Sequence, residues 1–244
     1  MSTFEKKFGR GLIPLVTLCV IAVMMTSSWQ TEAVIPAAGK VVLVTGKAMA
    51  LTPDGKDRPL KRGGPFYEGD TIETQKKSFV KLKYTDGGVM LLRPATKLVV
   101  EKYKDPKSGK GQAVTRLVKG GLRAVTGAIA KKDRSKFKLK TPTATMGVRG
   151  TDFTVRFCAG DCGDLGARVA PPSDGLYTGV NSGGIDLTNA GGTSAYSAGQ
   201  YGYVKNVNTK PQVLPAAPAV IAVDDLPPPT SDNTGEAIEG NACK

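Results

Sequence analysis

An alternation of apolar and polar residues with a period of two, cut by glycine- and aspartate-rich turns about every ten residues, constrains this chain most. In 79–84 the residues Val80, Leu82 and Tyr84 fall on one face and Phe79, Lys81 and Lys83 on the other. The same pattern recurs in 137–140 and 153–157, and shorter apolar runs occupy 89–92 and 97–101. Near the start, Val42 and Val44, then Ala48 and Ala50, alternate with their neighbours. Such runs are half-buried strands, with lysines toward solvent and branched or aromatic residues toward a core. The punctuation fits, because glycine accepts positive φ and aspartate accepts hydrogen bonds from turn amides: Thr52-Pro53-Asp54-Gly55, Glu68-Gly69-Asp70 and Thr85-Asp86-Gly87-Gly88 separate the runs. The expected fold is all-β, solenoid-like or sandwich-like. The stretch 120–132, with three glycines and several β-branched residues, reads as strand and turn rather than helix.

The texture shifts twice along the chain. From Cys158 glycine, serine and asparagine dominate, yet 176–180, 184–187 and 201–204 still alternate, so 158–210 is expected to add peripheral strands to the same sheet system. From Pro211 the chain is rich in proline and alanine and then acidic, which predicts an extended or disordered tail over 211–244. At the other end Lys6, Lys7 and Arg10 precede an apolar run over 12–25, followed by Thr26, Ser27 and Ser28. That order is the order of a secretory leader. Thr31 and Ala33 suit the small positions before a cleavage site, which places the leader at 1–33. The run is short of the roughly 20 apolar residues that span a bilayer, and an uncleaved anchor in the inner membrane is the alternative. The expected destination is the periplasm.

Export governs how the cysteines and charges are read. Cys19 leaves with the leader. Cys158 and Cys162 bracket a tight turn and are a candidate disulfide in an oxidising compartment, while Cys243 is left over. The whole sequence lacks histidine, which excludes Ser-His-Asp and Cys-His nucleophile systems and makes zinc ligation by one cysteine pair poor. No metal, cofactor or catalytic residue is expected. Residues 34–157 carry 27 Lys plus Arg against 10 Asp plus Glu, whereas 158–244 carry 4 against 9. A cytoplasmic domain this basic would suggest nucleic acid. Outside the cytoplasm the anionic neighbours are lipid head groups, acidic glycans and other proteins. A solvated surface is the simplest account of the charge, and an envelope protein or an anionic glycan is the expected partner class. The sequence does not give the oligomeric state.

Two ordered sets of elements resemble the FecR domain family. The first, over 39–100, runs through Gly39-Lys40-Val41-Val42, Leu60-Lys61-Arg62-Gly63, Gly69-Asp70-Thr71-Ile72 and Asp86-Gly87 to Leu91-Leu92-Arg93-Pro94. The second is Gly120-Gly121-Leu122-Arg123 followed by Thr141-Pro142 and the run Gly147-Val148-Arg149-Gly150-Thr151-Asp152-Phe153. The FecR-like domain is accordingly drawn at 39–157. Its motif residues read as structural: Gly69, Gly87, Gly147 and Gly150 for positive φ or close backbone approach, Asp70 and Asp86 for turn amides. Thr151 completes the second motif, and Arg149 is expected to bond backbone carbonyls or pair with Asp152, with ligand contact as the alternative. The resemblance implies an extracytoplasmic all-β domain that relays a signal from an outer-membrane receptor to a sigma factor. Only about ten residues precede the apolar run, too few for a folded sigma-binding segment. The leading expectation is therefore an exported, non-enzymatic binding or scaffold module. A component of a sigma-factor regulatory system is the second, and an enzyme acting on envelope polymer is the third.

Overall fold

The period-two pattern is realised as strands in a computed structural model that describes residues 35–162 and 172–222. The expected leader, Cys19, Cys243 and the acidic end of the chain lie outside these residues. The N-terminal half contributes β1 (Ala37–Thr45), β2 (Ala48–Leu51), β3 (Asp57–Pro59), β4 (Pro65–Tyr67), β5 (Thr71–Thr74), β6 (Phe79–Tyr84), β7 (Val89–Leu92) and β8 (Lys97–Lys104). Then come β9 (Gln112–Val125), a one-turn helix α1 (Ala128–Lys132), β10 (Phe137–Lys140), β11 (Thr145–Cys158) and β12 (Gly175–Asn189). The described chain ends with β13 (Gly192–Ser197), β14 (Tyr201–Val204), β15 (Gln212–Leu214) and the short helix α2 (Ala219–Ala222). The fold is all-β.

The strands belong to one sheet, whose main path runs β15-β14-β12-β11-β10-β9-β7-β6-β1-β4. Every ladder is antiparallel except β9 with β10. In its first half β9 lies between β8 and β10; in its second half it lies between β7 and β11.

Three long strands change which alternate residues face the core, each at a glycine with positive φ. β9 buries Ala113 and Leu117, then Leu122 and Ala124 beyond Gly120 (φ 81°). β11 buries Met146 and Val148, then Phe153 and Val155 beyond Gly150 (φ 56°). β12 buries Leu176 and Val180, then Ile185 and Leu187 beyond Gly183 (φ 79°). Adding one residue to a strand reverses its inward parity and sharpens its twist, and glycine takes the left-handed conformation this needs. The three switches let both halves of the sheet feed one hydrophobic core, which also takes in Phe66, Ile72, Leu82, Leu92 and Leu98.

Four sequence expectations need correction. In β1 the buried valine is Val41, while Val42 and Val44 are only half-buried and Leu43 is exposed, because the register on β6 slips between Val41 and Leu43. The stretch 120–132 ends in a helical turn. Ile129 and Ala130 are buried there, and the first amides are held by Asp86. The segment after Cys158 is not peripheral: β12 pairs with β11 from Thr145 to Cys158, so a boundary at 157/158 would cut a strand. The tail drawn from Pro211 begins with structure, since β15 pairs with β14 and α2 packs its Val220 and Ile221 against Cys158, Cys162 and Tyr177.

Candidate functional site

The residues singled out by the FecR-like motifs fall at three corners of the sheet. At the first, Gly69 has φ 88°, and a Cβ there would meet Pro53 Cγ at 2.5 Å. Asp70, buried, accepts hydrogen bonds through Oδ2 from Tyr67 N (2.9 Å) and Arg58 Nη2 (2.5 Å). Arg58 also donates to Pro65 O (2.6 Å) and lies over the Tyr67 ring at 5.4 Å. The carboxylate thus ties the β4–β5 turn to β3.

At the second corner Gly87 (φ 85°) has open space where a Cβ would sit, so only its backbone conformation calls for glycine. Asp86 accepts from Gly88 N (3.0 Å) and, through Oδ2, from Ile129 N (3.2 Å), and its carbonyl accepts from Ala128 N (3.0 Å). Gly127 precedes α1 without a side chain to cap it, and a Cβ at Gly127 would strike the Asp86 carboxylate at 2.5 Å. A residue from the β6–β7 turn therefore supplies the N-terminal cap. Beside it, the Tyr103 hydroxyl accepts from Asp86 N (2.9 Å) and shares a hydrogen bond with Thr85 Oγ1 (2.8 Å). Burial pushes the Tyr103 phenol up to about 12 and the Tyr84 phenol higher still. These two rings help line a cavity of about 10 Å³, room for one water and no more.

The third corner is the run 147–152. Thr151, buried, donates from its hydroxyl to Gly184 O (2.7 Å) and accepts from Arg149 N (3.1 Å) and Gly184 N (3.3 Å). Its own amide donates to Thr126 Oγ1 (2.9 Å), and its carbonyl accepts from Thr126 N (3.1 Å). One hydroxyl thus holds β11 against β12 where the ladder slips between Arg149 and Asp152. Gly147 behaves unlike the other three glycines: its φ is not positive, and a Cβ there would meet nothing within 4 Å. The sequence expectation of strain or close approach fails at that position.

Arg149 also departs from expectation. Asp152 is taken by Arg123, which donates through Nε to Oδ1 (3.0 Å) and through Nη2 to Oδ2 (2.8 Å), while Asn181 Nδ2 donates to Oδ1 (3.1 Å). Such a two-point guanidinium–carboxylate pair is the strong form of the interaction. Arg149 is exposed, and among the described residues its side chain has no hydrogen-bond or ion-pair partner. Both Arg149 and Asp152 face outward, one on each side of the switch at Gly150, and Arg123 of β9 takes the carboxylate. Sequence reasoning missed Arg123 as the partner. The parity break between Val148 and Phe153 was readable and could have placed the bulge, but not the register of β9 against β11.

Cys158 and Cys162 form a disulfide. Arg156 Nε donates to Cys162 Sγ (3.3 Å), and buried Arg93 donates through Nη1 to Val220 O (3.0 Å), holding α2 over the same place. Sequence reasoning assigned no role to Arg93 or Arg156.

Long strands with glycine parity switches, locked by Asp70, Asp86 and Thr151, define an all-β domain whose family motif serves the fold. The chain carries a FecR-family domain: the family model described as FecR protein matches residues 70–163. That match begins at Asp70, inside the resemblance seen from Gly39, and takes in the disulfide. No curated protein matches the chain's sequence. Two crystal structures from Parabacteroides distasonis, provisionally described as an anti-sigma factor, are similar to this chain at 15% identity, with TM-scores of 0.45 and 0.46. Each likeness covers 60% of this chain, and the chain spans 59% of the length of those structures.

Proposed function

We propose that this protein is a non-enzymatic binding module that works outside the cytoplasm as the exported component of a FecR-type signal relay. One observation carries the reading. Asp86 and Thr151 are committed to backbone hydrogen bonds within the fold, and Asp70 is buried and tied through Oδ2 to Tyr67 N and Arg58, which leaves none of these motif residues open to a substrate as a reacting group. The FecR match supports the relay, and the Cys158–Cys162 disulfide supports an oxidising compartment such as the periplasm. A leader over 1–33 would deliver the chain there.

The test is site-specific photo-crosslinking in intact cells, with the reactive group at Ser197 or Lys138 on the exposed sheet and at Lys61 as a control. Discrete adducts with an envelope component from the first two positions support the reading. Degradation of envelope polymer by the purified protein would overturn it. A static scaffold is the second reading, favoured by the rigid pinning of each motif residue. Deleting the gene separates the two: a relay component changes transcription of genes under an extracytoplasmic sigma factor, and a scaffold leaves them unchanged.

A further inference from the structure

The outer face formed by β8, the first halves of β9 and β11, β10, the second half of β12, and β13 carries mostly exposed side chains among the described residues, with Val114 of β9 buried in their midst. Residues paired across a ladder project from the same side, so the registers place its side chains. Lys102 on β8 pairs with Val114 on β9, Val114 with Lys138 on β10, Lys138 with Gly147 on β11, Gly147 with Asp186 on β12, and Asp186 with Ala195 on β13. The next row begins with Lys104 opposite Gln112 and includes Arg149 opposite Gly184. Lys102, Lys104, Lys138 and Arg149 are exposed, and among the described residues none has an ion-pair partner. Two other cations of this face, Arg116 and Lys140, are both held by Glu101. Asp186 is the one acidic residue on the β12 side. The free cations therefore sit on three strands of the face, spaced by roughly 5 to 10 Å across the strand direction.

Beside them the surface is low and hydroxyl-bearing. Gly147 has open space above it and Ala195 is exposed. Thr188 and Thr193 pair across β12 and β13 with their hydroxyls 3.0 Å apart, exposed to solvent. The exposed large apolar residues of the described chain, Ile35, Leu43, Val207 and Val213, all lie elsewhere. A protein interface is centred on buried aromatic or aliphatic anchors, and a membrane surface needs an apolar face to insert. A nucleic-acid strand needs stacking rings. This face offers none of these. It offers cations in rows across the strands and a flat ledge of hydroxyls.

We infer that this face binds a linear, carboxylate-bearing polysaccharide. Arg149 and Lys138 meet carboxylates of successive sugars, Lys102 and Lys104 extend the track across β8, and the threonine ledge exchanges hydrogen bonds with sugar hydroxyls. The inference rests on the proposed extracytoplasmic binding role and names a partner for it.

The test measures binding of the full exported chain to polygalacturonate by calorimetry at moderate salt, with poly-L-glutamate and phosphatidylglycerol vesicles as comparators. Two triple variants each remove three positive charges: Lys102→Ala with Lys138→Ala and Arg149→Ala on the face, and Lys61→Ala with Arg62→Ala and Lys76→Ala in turns elsewhere. Polygalacturonate is expected to bind more tightly than either comparator. The face triple should lose about tenfold or more per charge-assisted contact removed, and the turn triple at most about threefold. Equal losses in the two triples, equal affinity for poly-L-glutamate or for vesicles, or no binding of polygalacturonate overturn the inference. Should the face triple fail to fold, Arg149→Ala alone, at a solvent-exposed position, gives the same comparison. Crosslinks to an envelope component that persist when polygalacturonate fails to bind would remove only the glycan partner. Loss of those crosslinks with polygalacturonate still bound would remove only the relay.

Discussion

The sheet has two outer faces made largely from the same strands, and they treat their arginines in opposite ways. On one side of the glycine switches, the outer side of β7, β9, β11, β12 and β14 is covered. Val220 and Ile221 of α2, the Cys158–Cys162 disulfide and Tyr177 form a second apolar cluster there, with Tyr201, Tyr203 and Leu214 packed against it. Its arginines are all engaged: Arg93 with Val220 O, Arg123 with Asp152, Arg156 with Cys162. On the other side of the switches, the outer side of β8 to β13 is open, and Arg149 and three lysines stand without partners among the described residues. A cation under a cover must be satisfied within the fold, since burying it unpaired is costly. A cation on the open face is under no such demand. The line between structural and functional charge thus runs through the middle of β11 and falls at Gly150.

The comparison breaks most severely at that line. A Cβ at Gly183 would meet Gly150 O at 2.7 Å, Arg149 O at 2.9 Å and Thr151 Cα at 3.0 Å, all backbone, and φ there is +79°. Gly183→Ala should therefore cost about 3 kcal/mol or more, from left-handed strain plus a clash that nothing flexible can relieve. Gly87→Ala, with the same sign of φ and open space, should cost only about 1 kcal/mol. Thermal unfolding of the pair checks this; equal losses would mean that the switch between faces carries no packing constraint. Thr151→Val, which strands the amides of Arg149 and Gly184, should fall between them at about 2 kcal/mol.

The covered face comes next. Reducing the Cys158–Cys162 bridge, or replacing both cysteines by serine, should cost about 2 kcal/mol by loop entropy for so short a loop. It should also raise hydrogen exchange around Val220 and Ile221 while leaving β10 and β13 unchanged. Exchange rising equally on both faces would show that the two are not separate. Arg93→Ala should loosen the same segment, because Val220 O loses its donor.

How much of this was legible in sequence depends on range. The alternation in β6, β10 and β11 and the turns at Gly69, Asp86 and Gly87 were readable because they rest on neighbours within a few residues. The helix α1 was not, because its cap comes from Asp86, forty-three residues earlier. The strand β15 and helix α2 were hidden by a proline-rich composition, which describes a segment's intrinsic preference and not the β14 edge and aromatic cluster that capture it. Gly147 was misread because a glycine in a motif looks like a conformational need, whereas here it leaves the open face low.

Alkali should separate the core under the open face from the aromatic cluster of the covered one. Tyr103 ionises in the folded protein near 12, because burial disfavours the phenolate, against about 10 unfolded. Its neutral form is the one the fold prefers, so its contribution is intact below pH 10 and is lost as pH rises from about 10 toward 12. Tyr84, higher still, acts in the same direction. Tyr177 and Tyr203 are also raised, by burial first and then by Asp174 and, for Tyr177, by Tyr203. Phenolate absorbance against pH should show the wild-type transition coinciding with unfolding, and Tyr103→Phe should move the alkaline midpoint upward. A midpoint unmoved by that substitution would place the alkaline weakness elsewhere.

The smallest expected effect is the most discriminating. The sequence gives Arg149 the look of a lattice residue, set between two glycines and close to an aspartate, and a lattice role predicts that Arg149→Ala lowers the melting temperature. In the structure Asp152 belongs to Arg123 and Asn181, the corner is held by Thr151, and the Arg149 backbone amide, which alanine keeps, makes the local hydrogen bond. Arg149→Ala should therefore change stability by less than about 0.5 kcal/mol, as for an exposed side chain without partners. Arg123→Ala, on the covered side of the same strand pair, should cost about 2 kcal/mol by leaving Asp152 half-buried and short of its cation. Melting curves of the two single variants and the double variant settle the point. Additive losses dominated by Arg123 keep the two faces distinct, whereas a coupled loss would return Arg149 to the lattice and take the charge on the open face with it.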